Sequence, residues 1–472
     1  MNSYSSNFFK KKTVHNYIAI FSTFLFALVG SIVSLIRYWQ YEVYYFDFGI
    51  FDQAIWEVAH FRLPLIEHFI PGIQGKIIFA DHFNPSIFFL SPVYWFTDRS
   101  EALLIAQAVI AALSGYILYR ISLEVIKNSF ISLAIMLCYF LFVGLQNAVI
   151  TEFHELTIMT LPLTLLWWSV IKKKIWTYFL LLIITLGFKE SLFSLGIGVG
   201  IAIFILYKNW RKIAVMTIII SLIWGIAAIK LLIPYFSGGS YLYSPKLPDT
   251  ISGMLLSLIN EEEKRRTLFF SFASFGFLPL FSPAFYLTML QDYALRFMPE
   301  GFWTRWGLGM HYNAQSAVIL ALSSTYGVNF ILRYKIIKQY LLHLAIFLVF
   351  FALFLNFKIL RGPYNLIYNP AFYNHTKNFS YLNQLIARVP KKSTVMTQNV
   401  LASRFTHQKV WLLSMNYQKF RPEYILIDFR QGQNPNNFFG TPNAYEIYLA
   451  LLNDPTYSVY YQQGEQVIFK SK

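Results

Sequence analysis

The chain has 472 residues, of which 56% are hydrophobic and only 13% charged, and its mean hydropathy is +0.47. That charged share is about half the roughly 25% usual in soluble proteins, and a soluble fold of this size cannot hide so much apolar surface, so a polytopic membrane protein is the expected class. The formal charge of +16 arises from 39 Lys and Arg against 23 Asp and Glu, but the basic residues fall in short clusters between apolar runs, which fits orientation signals and anionic lipid headgroups and excludes nucleic acid as the natural partner.

"FFKKKTVHN" precedes an apolar run, Tyr17 to Ile36. The run has spanning length, and no small-residue cleavage site follows, so it reads as a first transmembrane helix and not as a signal peptide. Further spans are expected at 101–119, 128–147, 156–171, 175–188, 191–207, 213–233, 314–332 and 339–357. Stretch 267–290 contains "FLPLFSP", and Pro279 and Pro283 break it. It reads as a broken or re-entrant pair of short helices, giving 9–11 spans in all. Cys138 is the only cysteine and lies inside an apolar run, so an internal disulfide and a cysteine-based metal site are excluded.

The basic clusters alternate with these spans. They comprise Lys10, Lys11 and Lys12, then Arg120 and Lys127, then "IKKKI", "YKNWRK" and "RYKIIK". By the positive-inside rule they face the cytoplasm, and the N-terminus lies inside. Loop 37–100 then faces out, as do 151–155, 187–191, 234–266 and 302–313. Asp47, Asp52, Asp81, His82, Glu152, His154, Glu155, Lys189, Glu190, His311 and Tyr312 therefore gather at one membrane face. An accidental scatter would spread them over both.

The first external loop carries "YYFDFGIFDQAIWEVAHFRLP", residues 44–64. Phe51, Ala54, Ile55 and Val58 follow i, i+3, i+4, i+7, the pattern of an amphipathic helix at the interface. Asp47 stands at the N-cap position of that helix and Asp52 on its wet face, so a capping and solvating role competes with a chemical one. Gly49 argues for a turn or a close approach. "DHFNPSIFFLSPVYWF" follows at 81–96, a juxtamembrane helix in which Asp81 and His82 are either an ordinary start or part of a cleft with Asp47.

Other motifs are thinner, and no P-loop, GxGxxG or HExxH occurs. "EFHE" offers Glu152, His154 and Glu155, ligand types for Mg or Mn, or simply a solvated loop. Lys189 either snorkels at a span end, pairs with Glu190, or meets a phosphate. "EEEKRR" at 261–266 reads as a solvated helix face, and "YFSGGSYLY" as a lid over the cleft. From about Ala371 polarity rises. "STVMTQNV", "KVWLLS", "EYILIDF" and "EQVIFK" read as short strands, with "NAYEIYLALL" as a helix. The expected organisation is a membrane domain, 1–370, and an external α/β domain, 371–472.

"DFGIFDQAIW", "DHFNPSIFFLSPVYWF", "EFHE", "FKES", "LPLFSP", the late "HYN", and the C-terminal "VPKKSTVMTQNVLASRF" and "YILIDF" together resemble a widespread family of predicted prokaryotic membrane proteins of unknown function. That family is placed with the GT-C glycosyltransferases. Where the family often shows Asp before "FH" this sequence has Glu152, and where Asp often follows "KE" it has Ser191, departures that count against a metal role at those positions. The resemblance implies a GT-C-like multi-span fold in a prokaryotic cytoplasmic membrane, and transfer of a sugar from a polyprenyl-phosphate or polyprenyl-pyrophosphate donor. It carries the role of general base to Asp47, with Asp52 supporting its geometry or a metal. His82, Lys189, Arg305, His311 and Tyr312 are the candidates for binding substrate phosphate. A transporter or lipid flippase, or a non-catalytic scaffold, are the rival readings. Against transport, no inverted repeat shows, and the ionisable residues cluster at one face and not at mid-membrane.

Overall fold

The structure, a computed structural model, describes residues 2–67, 76–433, 436 and 443–472, with side chains described from Val14 onward except Lys335. Segment 68–75 of the predicted first external loop lies outside the described residues.

Helices α1 (Asn2–Trp39) and α2 (Ile50–Ala59) are followed by a 3-10 run, Pro85–Trp95, in which Pro92 interrupts any regular helix. Then come α3 (Glu101–Ile126), α4 (Ser129–Leu141), α5 (Val143–Ile150), α6 (Glu155–Ile171), α7 (Ile175–Leu186), α8 (Phe193–Leu206), α9 (Arg211–Ala227) and α10 (Ile233–Ser237). After a loop, α11 (Ile251–Ser257), α12 (Glu262–Ala273), α13 (Tyr286–Phe297), α14 (Asn313–Ile331), α15 (Lys335–Gln339) and α16 (Leu341–Phe354) complete the bundle.

Among the described residues, four helical stretches are long and apolar enough to cross a membrane: Val14–Trp39, Glu101–Ile126, Lys208–Ser237 and Leu341–Ile359. The span expected at 128–147 is bent by 50° between α4 and α5. Those expected at 156–171, 175–188 and 191–207 are shorter apolar helices. The span expected at 314–332 is helical but is not one of the four. α14 is buried from Asn313 to Val328 and packs on α3, α4, α5 and α6. A helix enclosed by protein selects for fit, so it carries Ser316, Ser323, Ser324 and Thr325 where a lipid-facing helix carries leucine. Gly327 marks its closest approach: a Cβ there would run into the backbone carbonyl of Leu278. Stretch 267–290 is broken as expected, by 3-10 turns at Leu278–Phe281 and Pro283–Phe285 between α12 and α13.

Two readings are corrected. α2 is not an interfacial helix: Ile50 to Ile55 are all buried. "EEEKRR" is not wholly solvated. Lys264 is buried, donates to Ser257 O, Asn260 Oδ1 and Phe297 O at 2.8–3.0 Å, and lies over the Trp306 ring.

The C-terminal part is a small mixed-sheet domain. Its strands are β1 (Val395–Thr397), β2 (Val410–Leu412), β3 (Tyr424–Asp428), β4 (Tyr457–Gln463) and β5 (Gln466–Ser471), in the order β2-β1-β3-β5-β4. The first three run parallel, and β5 is antiparallel to both neighbours. The four expected strands and the helix Ala444–Leu452 are present. β4 was not foreseen: its outer face is exposed, so its sequence lacks an apolar run. The short helix Asn399–Ala402 leaves the carboxyl end of β1.

Candidate active site

Asp47 sits in a five-residue π-helical turn, Tyr45–Gly49, closed by Gly49 N donating to Tyr44 O at 3.2 Å. Such turns concentrate at functional sites because they displace a side chain from the regular helical path. Gly49 is required by a close approach: a Cβ there would lie 2.5 Å from the Tyr45 ring. The cap of α2 is Gly49, with no side-chain hydrogen bond, so Asp47 does not cap it. Among the described residues, no group hydrogen-bonds the Asp47 carboxylate. Burial, then the Glu155 charge, pushes its pKa up to about 7 against the opposing pull of Lys189.

The neighbouring acids are all engaged. Glu152 accepts from Phe48 N at 3.0 Å and Tyr44 N at 3.3 Å, bracketing Asp47. Burial first, and then the Asp47 charge, holds Glu152 above the ordinary carboxylate range. Glu152 stands in the left-handed region at φ 56°, a strained position for a residue with a side chain. Gln107 of α3 holds that turn. Its Nε2 donates to Val149 O and Glu152 O, and its Oε1 accepts from His154 N at 2.8 Å.

Glu155 pairs with Lys189 at 2.7 Å. Of the roles expected for Lys189 (snorkelling, pairing with Glu190, or meeting a phosphate), the structure shows an ion pair, but with Glu155 and not with Glu190. Burial opposes the charge on Lys189, but Glu155 and then Glu190 outweigh it and raise its pKa. Glu190 accepts from His82 Nδ1 at 2.9 Å, Tyr241 OH at 2.8 Å and Phe83 N at 3.2 Å. Tyr243 donates to Asp81 and stacks on His82, with centroids 4.6 Å apart. Two tyrosines of "YFSGGSYLY", Tyr241 and Tyr243, thus reach the acids of the site, while Tyr235 is exposed.

His154 and His311 stack at 3.4 Å, and Tyr312 packs on His311. Burial drives both imidazoles to the neutral form, His154 down to about 3 and His311 well below its ordinary value. Arg305 stands apart from the other cations. Its guanidinium lies over Phe302 at 4.0 Å and Tyr312 at 5.6 Å, and among the described residues it makes no ion pair. Arg296, buried beside Asp292, donates to Arg305 O and Gly307 O and so fixes the loop that presents Arg305.

Asp52 and the metal candidates fall elsewhere than expected. Asp52 is fully buried and accepts from Tyr94 and Thr406, with His407 Nε2 at 3.3 Å. It faces the C-terminal domain and not Asp47. Glu152, His154 and Glu155 turn to three different partners. Among the described residues no group of three His, Cys, Asp or Glu is placed to hold a metal ion. The "EFHE" residues therefore do not fit a shared Mg or Mn site.

Several residues of this site escaped the sequence reading, Gln107, Asn399 and His407 among them. Gln107 was visible only as one amide inside an apolar span. Asn399 and His407 were hidden because their partners lie 353 and 355 positions away, a distance that no local pattern reports.

A crystal structure of ArnT from Cupriavidus metallidurans bound to undecaprenyl phosphate has a similar fold, with a TM-score of 0.53 at 9% identity over 98% of both chains. The apo structure of the same protein aligns over 90% of this chain and 93% of that one, with a TM-score of 0.47 at 10% identity. No curated protein matches the sequence. The architecture is thus GT-C-like, as the motifs implied. Residues 37–467 match the family described as predicted membrane protein (DUF2079), and the chain is a member of that family.

Proposed function

We propose that the protein is a membrane glycosyltransferase that moves a sugar from a polyprenyl-phosphate-linked donor to an acceptor hydroxyl. The observation that carries this reading is the Asp47 carboxylate: without a hydrogen-bond partner among the described residues, raised in pKa, and set among acids that are all engaged. A carboxylate held near pH 7 is matched to taking a proton from a hydroxyl. In the proposed step Asp47 accepts the acceptor's proton while the acceptor oxygen bonds to the anomeric carbon. The bond from that carbon to the donor phosphate breaks, and its electron pair leaves on the phosphate oxygen. Arg305, with no acidic partner among the described residues, meets that developing charge. Neutral His154 and His311 form the wall beside it and add no competing charge.

The fold likeness to a protein crystallised with undecaprenyl phosphate supports a lipid-linked donor for this chain. The alternation of basic turns supports an N-terminus in the cytoplasm, the cleft and C-terminal domain on the outer side of a prokaryotic cytoplasmic membrane, and a role in the cell envelope. The test is a purified sample in vesicles supplied with polyprenyl-phosphate-linked sugars radiolabelled in the sugar. Label that becomes covalently attached to a new acceptor supports transfer. Label that crosses the bilayer still attached to its lipid replaces this reading with a flippase.

A further inference from the structure

The C-terminal domain reaches the turn that carries Asp47. Asn399, buried at the carboxyl end of β1, accepts a hydrogen bond from Phe46 N through Oδ1 at 2.9 Å. Phe46 is bonded directly to Asp47. On the other side, Phe48 N donates to Glu152 at 3.0 Å. The amides flanking Asp47 are therefore held by side chains from two distant parts of the chain.

Asn399 arrives at a fixed place because the domain is tied down around it. Arg404 donates to Tyr38 O at the end of α1. Tyr41 OH donates to Asn383 Oδ1 at 2.7 Å, and Thr406 and His407 meet Asp52 of α2. These ties span both sides of the π turn, so the turn and the domain are positioned as one unit. The residue type also matters. An amide oxygen takes the Phe46 hydrogen bond without adding a third negative charge beside Asp47 and Glu152.

We propose that Asn399 is a positioning residue: it fixes the orientation of the Asp47 carboxylate through Phe46 N, which makes the C-terminal domain part of the active site and not only its cover. This rests on the reading of Asp47 as the base, but the clamp itself can be measured without substrate.

The experiment uses the full-length protein in detergent or lipid discs, as wild type, Asn399→Ala and Asn399→Asp. Hydrogen–deuterium exchange is followed for the peptide covering 44–50 and for the strands 395–397 and 424–428. Asn399→Ala is expected to raise exchange in 44–50 by about 5- to 10-fold, what one lost hydrogen bond is worth, and to leave the strands unchanged. Asn399→Asp keeps an acceptor oxygen and is expected to restore protection. In parallel, a hydrophobic carbodiimide, which labels protonated carboxylates, is titrated against pH. Asp47 labelling is expected to fall as pH passes about 7 in wild type and at a higher pH in Asn399→Asp, because the added charge disfavours ionisation.

Unchanged exchange in 44–50 on Asn399→Ala overturns the proposal. So does exchange that rises throughout the strands, since Asn399 would then be a residue of the domain's own fold. Carbodiimide labelling of Asp47 that ignores pH removes the base reading but not the clamp, which the exchange data decide alone.

Discussion

His407 Nε2 lies 3.3 Å from the Asp52 carboxylate, and the His407 ring lies flat on Trp56 with centroids 5.0 Å apart. One residue belongs to α2, the other to the C-terminal domain. Burial acts on Asp52 to raise its pKa, but His407 and the hydroxyls of Thr406 and Tyr94 outweigh burial and lower it below 3.8. Burial lowers His407, but Asp52 outweighs it and lifts His407 above 6.5. The Asp52 contribution is present above pH 3.8 and is lost as pH falls through its depressed value. The His407 contribution is full below pH 6.5 and is lost as pH rises through its elevated value. Docking is therefore firmest between these limits. Limited proteolysis of the C-terminal domain should be slowest between the depressed Asp52 value and the elevated His407 value and quicken as pH rises through the latter, and His407→Gln should abolish the alkaline dependence. A flat profile in the wild type would remove the pair from any part in docking.

The proposed topology can be read with thiols. Cys138 is buried and gives no background to a membrane-impermeant maleimide. A cysteine at Gln463, exposed at the end of β4, should label in intact cells, as should one at Ser244 in the loop over the cleft. A cysteine at exposed Lys173, between α6 and α7, should label only after permeabilisation. The reverse pattern would turn the molecule over and move the cleft to the cytoplasm.

The Glu155–Lys189 pair separates a structural lysine from a phosphate-binding one. Glu155 is buried, Lys189 is largely so with 13% of its side chain exposed, and the two lie 2.7 Å apart. Removing one leaves an uncompensated buried charge, at a cost of about 3–5 kcal/mol. Glu155→Gln and Lys189→Met should each lower the unfolding midpoint strongly, and the double substitution should recover most of the loss. Recovery of stability without recovery of transfer would show that Lys189 also meets the substrate. Recovery of both would confine it to structure.

The sequence announced the membrane domain because lipid-facing helices must be apolar along their whole length, as Val14–Trp39 and Leu341–Ile359 are. It announced four strands of the C-terminal sheet because their faces are buried. It misplaced α2 because the apolar spacing of Phe51, Ala54, Ile55 and Val58 is the same whether the helix lies on a bilayer or inside protein, and only the buried Asp52 and Gln53 betray the difference. The acidic residues of the cleft were legible individually, since charges beside apolar spans are rare. Their pairing was not. Lys189 pairs with Glu155 and not with adjacent Glu190, and Asp52 pairs with His407, because side-chain partners are set by tertiary geometry that hydrophobic periodicity does not encode.

Arg305 is predicted to act on the leaving phosphate through its geometry as well as its charge. A guanidinium grips phosphate with paired donors, which an ammonium cannot copy. Arg305→Ala should reduce transfer by about 10²- to 10³-fold, as for loss of one preorganised donor, and Arg305→Lys should recover only part of it. Among the described residues the side chain is held by aromatic rings and by no ion pair, so the unfolding midpoint should move little. Equal activity in Arg305→Ala and wild type would pass the phosphate role to another cation.

Asp47→Asn isolates the base. The amide has the shape of the carboxylate, and neither the cap of α2 nor any hydrogen bond among the described residues depends on the Asp47 side chain. The substitution should therefore leave insertion, the unfolding midpoint and donor binding unchanged. It removes the group that takes the acceptor proton, and transfer should fall by about 10²- to 10⁴-fold, the usual worth of a general base. The wild-type rate should carry a limb with an apparent pKa near 7, because Asp47 is raised to about that value and acts only when ionised. The sign follows from the role: a base is protonated and idle below its pKa, so the rate rises with pH through 7 and levels above it. Asp52→Asn should keep that limb while weakening domain docking, since Asp52 faces His407 and Thr406. An Asp47→Asn protein that transfers sugar at the wild-type rate, or a wild-type rate that falls as pH rises through 7, would exclude Asp47 as the base and return the turn to a structural role.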